Sequence, residues 1–314
     1  MNPRWRRSWS SLLPLLALVL LVLVIGAVRP TFLSVLSLQT MAMQSVFVAL
    51  PALGMTFVVI AGGIDISIGS VVALTAVLAA YLARDGASPA VAAGAAVGLG
   101  ALCGFCNALL VTSLRVAPFL VTLGTMGIAR GLAKWLADDQ KIDADPGFLA
   151  DFVRAVPSSP YLLFGPSVWL LLAALLVSSV LLRRTVFGLH VVAVGSNAAN
   201  ARLCGVRVER TLLFVYALSG LCAGAVGALQ FGELGCGVPT AGAGLELQVI
   251  AAVVIGGASL SGGEGSLLGA VLGALLTVVL KAGCTQLGIA DHWQDVLIGA
   301  VIVVAVALDR WRHR

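Results

Sequence analysis

The chain has 314 residues, 60% hydrophobic and 11% charged, whereas a soluble domain carries charge on about a quarter of its residues. This composition excludes a water-soluble globular fold and predicts an all-α, polytopic membrane helix bundle. The formal charge of +5 comes without a basic stripe interleaved with aromatics, so no nucleic-acid partner is expected; the arginines serve instead to orient the spans.

Arg4, Arg6 and Arg7 precede an apolar run over 12–28. The run outlasts a signal-peptide core and no small-residue cleavage site closes it, so it reads as an uncleaved first span with residues 1–11 in the cytoplasm. Arg29-Pro30 ends it outside. Residues 34–44 are polar enough to be expected along that surface before a second span runs inward to Ala61.

There the chain breaks at Gly62-Gly63-Ile64-Asp65-Ile66-Ser67-Ile68-Gly69-Ser70. A carboxylate at the centre of a membrane helix costs roughly 2.5–3.5 kcal/mol. Asp65 is therefore expected at an aqueous mouth or in a protein-lined gap, where Ser67, Ser70 and freed backbone N–H groups can bond to it. Gly62, Gly63 and Gly69 release the backbone from helical geometry, and Ser67 or Ser70 can cap a helix restarting at Val71. Two roles stay open for Asp65: a structural cap, or the carboxylate of an ion-coupled secondary transporter.

Residues 71–83 return outward, and 90–112 lead in again to Arg115. Pro118 opens a fifth span through Trp135, with Thr122, Thr125, Arg130 and Lys134; Arg130 and Lys134 share a face that either snorkels to head groups or lines a hydrophilic path. Residues 137–160 form an acidic loop, expected outside. Residues 161–182 cross inward to the most basic segment, 183–210, where five arginines are opposed by Glu209 alone. Spans over 211–231, 245–257, 267–283 and 293–308 follow, with a second glycine elbow at 259–266, and 309–314 finish inside. The count is about ten spans in one domain, with short or broken helices at the elbows and both termini cytoplasmic. Val58-Val59-Ile60-Ala61-Gly62-Gly63 recurs loosely as Val253-Val254-Ile255-Gly256-Gly257, the internal echo of a transporter repeat. Asn107, Glu246 and Gln248 read as interhelical glue.

Six cysteines, Cys103-Gly-Phe-Cys106 among them, lie in apolar or small-residue surroundings and read as packing residues, and three scattered histidines form no ligand cluster. No metal or cofactor is expected. Within the basic segment, residues 195–206 read as one short helix with Ser196 or Asn197 as N-cap, Ala201, Arg202 and Leu203 inside, and Gly205 just past its end. Such a helix either lies on anionic lipid or pegs into a cytoplasmic partner.

The first elbow resembles the G-G-I-D-L-S-V-G-S signature of permease subunits from ABC importers of ribose, xylose, arabinose and galactosides. Residues 122–132 are similar to the corresponding segment of those permeases, and 193–206 resemble their G-G-N-x-x-A-A-R-L-S-G-I loop, which couples them to the ATPase. The likeness runs from about 45 to 308. It departs at 281–288, where the family tends to be asparagine-rich, and at Glu264, where a basic residue is common. It implies a bacterial inner-membrane permease for a monosaccharide or polyol, with a cytoplasmic ABC ATPase subunit, a second permease subunit and a periplasmic sugar-binding protein as partners. The chain itself carries no G-x-x-x-x-G-K-[ST] phosphate loop, so ATP hydrolysis is expected in a separate subunit and not here.

Overall fold

The computed structural model describes residues 3–157 and 162–312. The expected placements of Met1, Asn2, His313 and Arg314, and the junction of the acidic loop with the sixth span at 158–161, lie outside these. Among the described residues there are thirteen helices and two two-residue strands. The chain begins with α1 (Pro3–Val28), a 3-10 turn (Pro30–Leu33), α2 (Val35–Ile60), α3 (Ile68–Arg84), α4 (Pro89–Leu114) and α5 (Pro118–Leu136). The acidic loop holds β1 (Ile142–Asp143) and α6 (Phe148–Phe152), and α7 (Pro166–Arg184) leads to α8 (Val186–Ser196) and α9 (Ala198–Leu203). Then come α10 (Val208–Leu234), β2 (Cys236–Gly237), α11 (Leu245–Ile255), α12 (Leu267–Gln286) and α13 (Asp291–Arg312).

Each of the ten expected spans falls on a helix. Five helices, α2, α4, α7, α10 and α12, are long and apolar enough to cross a membrane, and α3, α8, α11 and residues 14–28 of α1 are shorter apolar helices. Two expectations are corrected. Residues 34–44 are not a stretch separate from the second span but the start of α2: Ser34 caps it, accepting the Ser37 N–H at 3.3 Å, and Gln39 turns into the bundle, donating to the Leu163 carbonyl at 2.7 Å. The basic segment holds a second helix, α8, whose Thr185 cap and apolar face were masked by flanking arginines.

The core is built on α2 and α10. From Val46 to Ile60 α2 is buried at every position but Phe47, so it is apolar all round, as a helix enclosed by others must be. It packs against α10 and α12, while α10 also packs against α3 and α4. The α4–α10 seam depends on small residues four apart: a Cβ on Gly100 would stand 2.3 Å from the Gly220 carbonyl oxygen, and one on Gly104 2.0 Å from that of Tyr216. Backbone-to-backbone approach of this kind is how helices gain dispersion contact in lipid, where burial of apolar surface supplies no drive. After α10, β2 pairs antiparallel with β1, Ile142 opposite Gly237, and the chain then runs without helix to Gly244, the left-handed N-cap of α11.

Candidate functional site

The first elbow starts where α2 ends. The Gly62 N–H donates to Val59 O and the Gly63 N–H to Val58 O, both at 2.9 Å, with Gly62 at φ +84°. This pairing satisfies the last carbonyls of the helix and turns the chain out of it. Gly63 is fixed by a close approach, because a Cβ there would lie 2.4 Å from the Tyr216 hydroxyl oxygen. Two residues on, Asp65 is 2% exposed. Its Oδ1 accepts from the Ser67 N–H at 3.0 Å and the Ser67 hydroxyl at 2.6 Å. Its Oδ2 accepts from the Ser219 hydroxyl of α10 at 3.2 Å. Asn107 Nδ2 of α4 donates to Ser67 Oγ at 2.9 Å, and Thr122 of α5 accepts the Ile66 N–H at 3.2 Å and stands 3.1 Å from Ile64 O. The elbow is thus tied to three other helices, to α10 through Asp65, to α4 through Ser67 and to α5 through its own main chain, and the carboxylate lies in a protein-lined gap and not at an aqueous mouth.

Ser67 occupies the N-cap position of α3, which starts at Ile68, but makes no side-chain cap bond; its hydroxyl goes to Asp65 instead. That corrects the expected capping by Ser67 or Ser70 of a helix starting at Val71. Ser70 is buried in the first turn of α3, and Thr125 bonds back to its own helix, donating to Val121 O at 3.0 Å.

The second elbow repeats the first. The Gly257 N–H donates to Val254 O at 2.9 Å and the Ala258 N–H to Val253 O at 3.1 Å, with Gly257 at φ +86°. The internal echo of the sequence is therefore a repeated helix ending. The α8–α9 junction sits against both elbows. A Cβ on Gly195 would stand 1.7 Å from Ile60 O and 2.7 Å from Gly263 N, and one on Gly263 would stand 2.6 Å from Ser196 Oγ. The Gly263 N–H itself donates to Ile60 O at 2.8 Å, so Ile60, Gly195 and Gly263 meet through their main chains alone.

From this junction α9 projects. Asn197, not Ser196, is its cap, accepting the Asn200 N–H at 2.9 Å; Ser196 ends α8. Ala201 packs with Val194 and Val208, and Leu203 is 87% exposed. Gly205 ends the helix at φ +82°, its N–H on Arg202 O and that of Val206 on Ala201 O, both at 3.0 Å. Arg202 pairs with Glu209, and that hydrogen bond holds the Glu209 carboxyl below its ordinary range.

Arg130 faces inward rather than snorkelling. Its Nη1 donates to the carbonyls of Pro239 at 2.8 Å and Ala241 at 2.7 Å, holding the non-helical run ahead of α11. That run reaches the first elbow: a Cβ on Gly69 would stand 2.3 Å from both Gly242 O and Glu246 Oε2, while Glu246 Oε1 accepts the Gly244 N–H at 3.2 Å.

Residues 37–306 match the model of a family described as "branched-chain amino acid transport system / permease component". The chain belongs to that permease family. The permease is 37% identical to the ribose import permease protein of Bacillus subtilis over 95% of this chain and 92% of that one. It is 34% identical to the ribose import permease protein of Escherichia coli, covering 94% and 92%, and 35% identical to the fructose import permease protein of Rhizobium meliloti, covering 97% and 86%. No solved structure matches it. These relatives are transport permeases, which supports the importer reading over an ion-coupled carrier. In the permease, sequence reasoning passed over Ser219, Tyr216, Gly195 and Gly263 as site residues and read Asn107 and Glu246 as glue. Asn107 and Glu246 carried a signal as polar groups in apolar runs, and Gly195 and Gly263 lay in segments already singled out, but the contacts through which these residues act are with residues remote in sequence.

Proposed function

We propose that the chain is the inner-membrane permease subunit of an ATP-driven importer of a monosaccharide or related polyol, paired with a second permease copy or homologue, a cytoplasmic ABC ATPase and an external sugar-binding protein. The contact of Gly195 with both elbows carries this reading. A push on α9 from the cytoplasm reaches Ile60 and Gly263 through rigid main chain, and the first of these adjoins the Asp65 network that joins α3, α4, α5 and α10. Exposed Leu203 and the Arg202–Glu209 pair form the surface that the ATPase receives, with both termini and Ser196 cytoplasmic and Asp143 outside. The relatives named for ribose and fructose import support those sugars as first substrates to try.

The test reconstitutes the permease with its ATPase and binding protein and measures uptake of labelled ribose and fructose. Leu203→Glu and Arg202→Glu are expected to insert normally, lose ATPase co-purification and stop uptake. Single cysteines at positions 196 and 143, on a background without the native six, should react with an impermeant thiol reagent only from the inner and only from the outer side respectively. Full uptake by both α9 variants, or labelling of position 196 from outside, would overturn the assignment.

A further inference from the structure

A cavity of about 380 Å³ opens where α8 meets the start of α10, within the roughly 300–1,000 Å³ range of ligand clefts. Its wall combines three basic side chains, His190, Arg207 and Arg210, with Thr211, Phe187 and Phe214. Glu209, the acid nearest in sequence, is taken by Arg202, and among the described residues neither Arg207 nor Arg210 meets a carboxylate. Arg207 and Arg210 are exposed at this open cavity, so their charge is free to meet an anion, and guanidinium is the side chain best suited to phosphate oxygens.

The apolar half of the wall says which anion. Phe187 stacks on Phe57 of α2 with ring centroids 6.1 Å apart and meets Phe214 edge-on at 6.4 Å, so it is fixed to the core. Phe214 is about two-thirds exposed and shares the cavity wall with the two arginines. Two exposed guanidiniums next to an exposed phenyl ring fit an amphiphile whose phosphate and acyl chain arrive together. We propose that this cavity binds the phosphate head group of an anionic phospholipid, with Arg207 and Arg210 on the phosphate and Phe214 against the acyl chain. Its assignment to the cytoplasmic leaflet rests on the orientation proposed above; binding itself does not.

The experiment uses the purified full-length permease in detergent, without ATPase, binding protein or sugar, and reads retained lipid by native mass spectrometry against added phosphatidylglycerol or phosphatidylcholine. Wild type is expected to retain phosphatidylglycerol selectively. Arg207→Ala with Arg210→Ala should weaken that retention about 30-fold, at roughly 1 kcal/mol per arginine, whereas the double lysine variant keeps most of it and Arg84→Ala, remote from the cavity, changes nothing. Glycerol phosphate in excess should not displace the lipid. Retention unchanged in the double alanine variant, equal retention of phosphatidylcholine, or displacement by glycerol phosphate would each overturn the proposal. In a separate co-purification assay, a double alanine variant that keeps its lipid but no longer binds the ATPase would likewise overturn it and make the cavity a protein contact.

Discussion

At Gly62 and again at Gly257 the chain leaves a helix by the same pair of hydrogen bonds and the same left-handed glycine, yet the two elbows are filled differently. The first encloses Asp65 and ends in a polar network that reaches α4, α5 and α10. The second bonds locally, Ser259 N–H to Glu264 O at 3.1 Å and Gly262 N–H to Ser259 O at 3.0 Å, and leans on the first through the Gly263–Ile60 bond. One elbow is tied to the membrane helices and the other to its neighbour, with Gly195 wedged against both. A repeated backbone ending fixes where helices break, while the side chains between breaks decide which part anchors and which part transmits.

The contact shared by both elbows is the most sensitive point. Gly195→Val would drive its side chain into the main chain at Ile60, and overpacking of a tight contact costs about 1–3 kcal/mol. Uptake should fall more than about tenfold, with ATPase binding retained because α9 and its cap are untouched. Uptake and ATPase co-purification, measured together, check this; Gly195→Ala should show the same defect in weaker form.

Next comes the anchor of the first elbow. Asp65→Leu removes the acceptor for Ser67 and Ser219, and a buried polar group left unsatisfied costs about 1–3 kcal/mol. The variant should lose assembly or activity, while Asp65→Asn, which keeps an acceptor, retains substantial uptake. Abolition of transport by Asn, at normal expression, would make the charge itself essential and contradict an anchoring role.

Arg130 bears on the first elbow from outside its hydrogen-bond network, since it holds the run before α11 that packs on Gly69. Arg130→Met frees two carbonyls, and hydrogen bonds to a charged group are worth about 1.5–3 kcal/mol each. The expected outcome is faster hydrogen exchange over 238–248 with the 60–66 amides unchanged.

The smallest effect is expected at Gly205, beyond both elbows. Its left-handed backbone costs a residue with a Cβ roughly 1–2 kcal/mol, but nothing stands within 4 Å of that position. Gly205→Val should fray the last turn of α9 and weaken ATPase binding a few-fold without lowering membrane insertion, read by co-purification.

How much of this was legible in the sequence follows from locality. The elbow at Asp65 was visible because a carboxylate between glycines cannot belong to a plain membrane span, and the stop at Gly205 because capping signals act over a few residues. The start of α2 was misread because Ser37, Gln39 and Thr40 look like surface residues until a partner such as Leu163 is known. The inward turn of Arg130 depends on carbonyls 109 and 111 residues away. Gly195 lies in the segment that resembles the coupling loop, but nothing in a Val-Gly-Ser run reveals that Ile60 and Gly263 close on it.

The central claim is that motion of α9 enters both elbows together through Gly195. It is tested most directly by amide hydrogen exchange on the assembled transporter, with and without a non-hydrolysable ATP analogue. The account predicts that protection of the 60–66 and 257–266 amides changes together with that of 195–203. A change confined to 197–205, with both elbows unaltered, would contradict it.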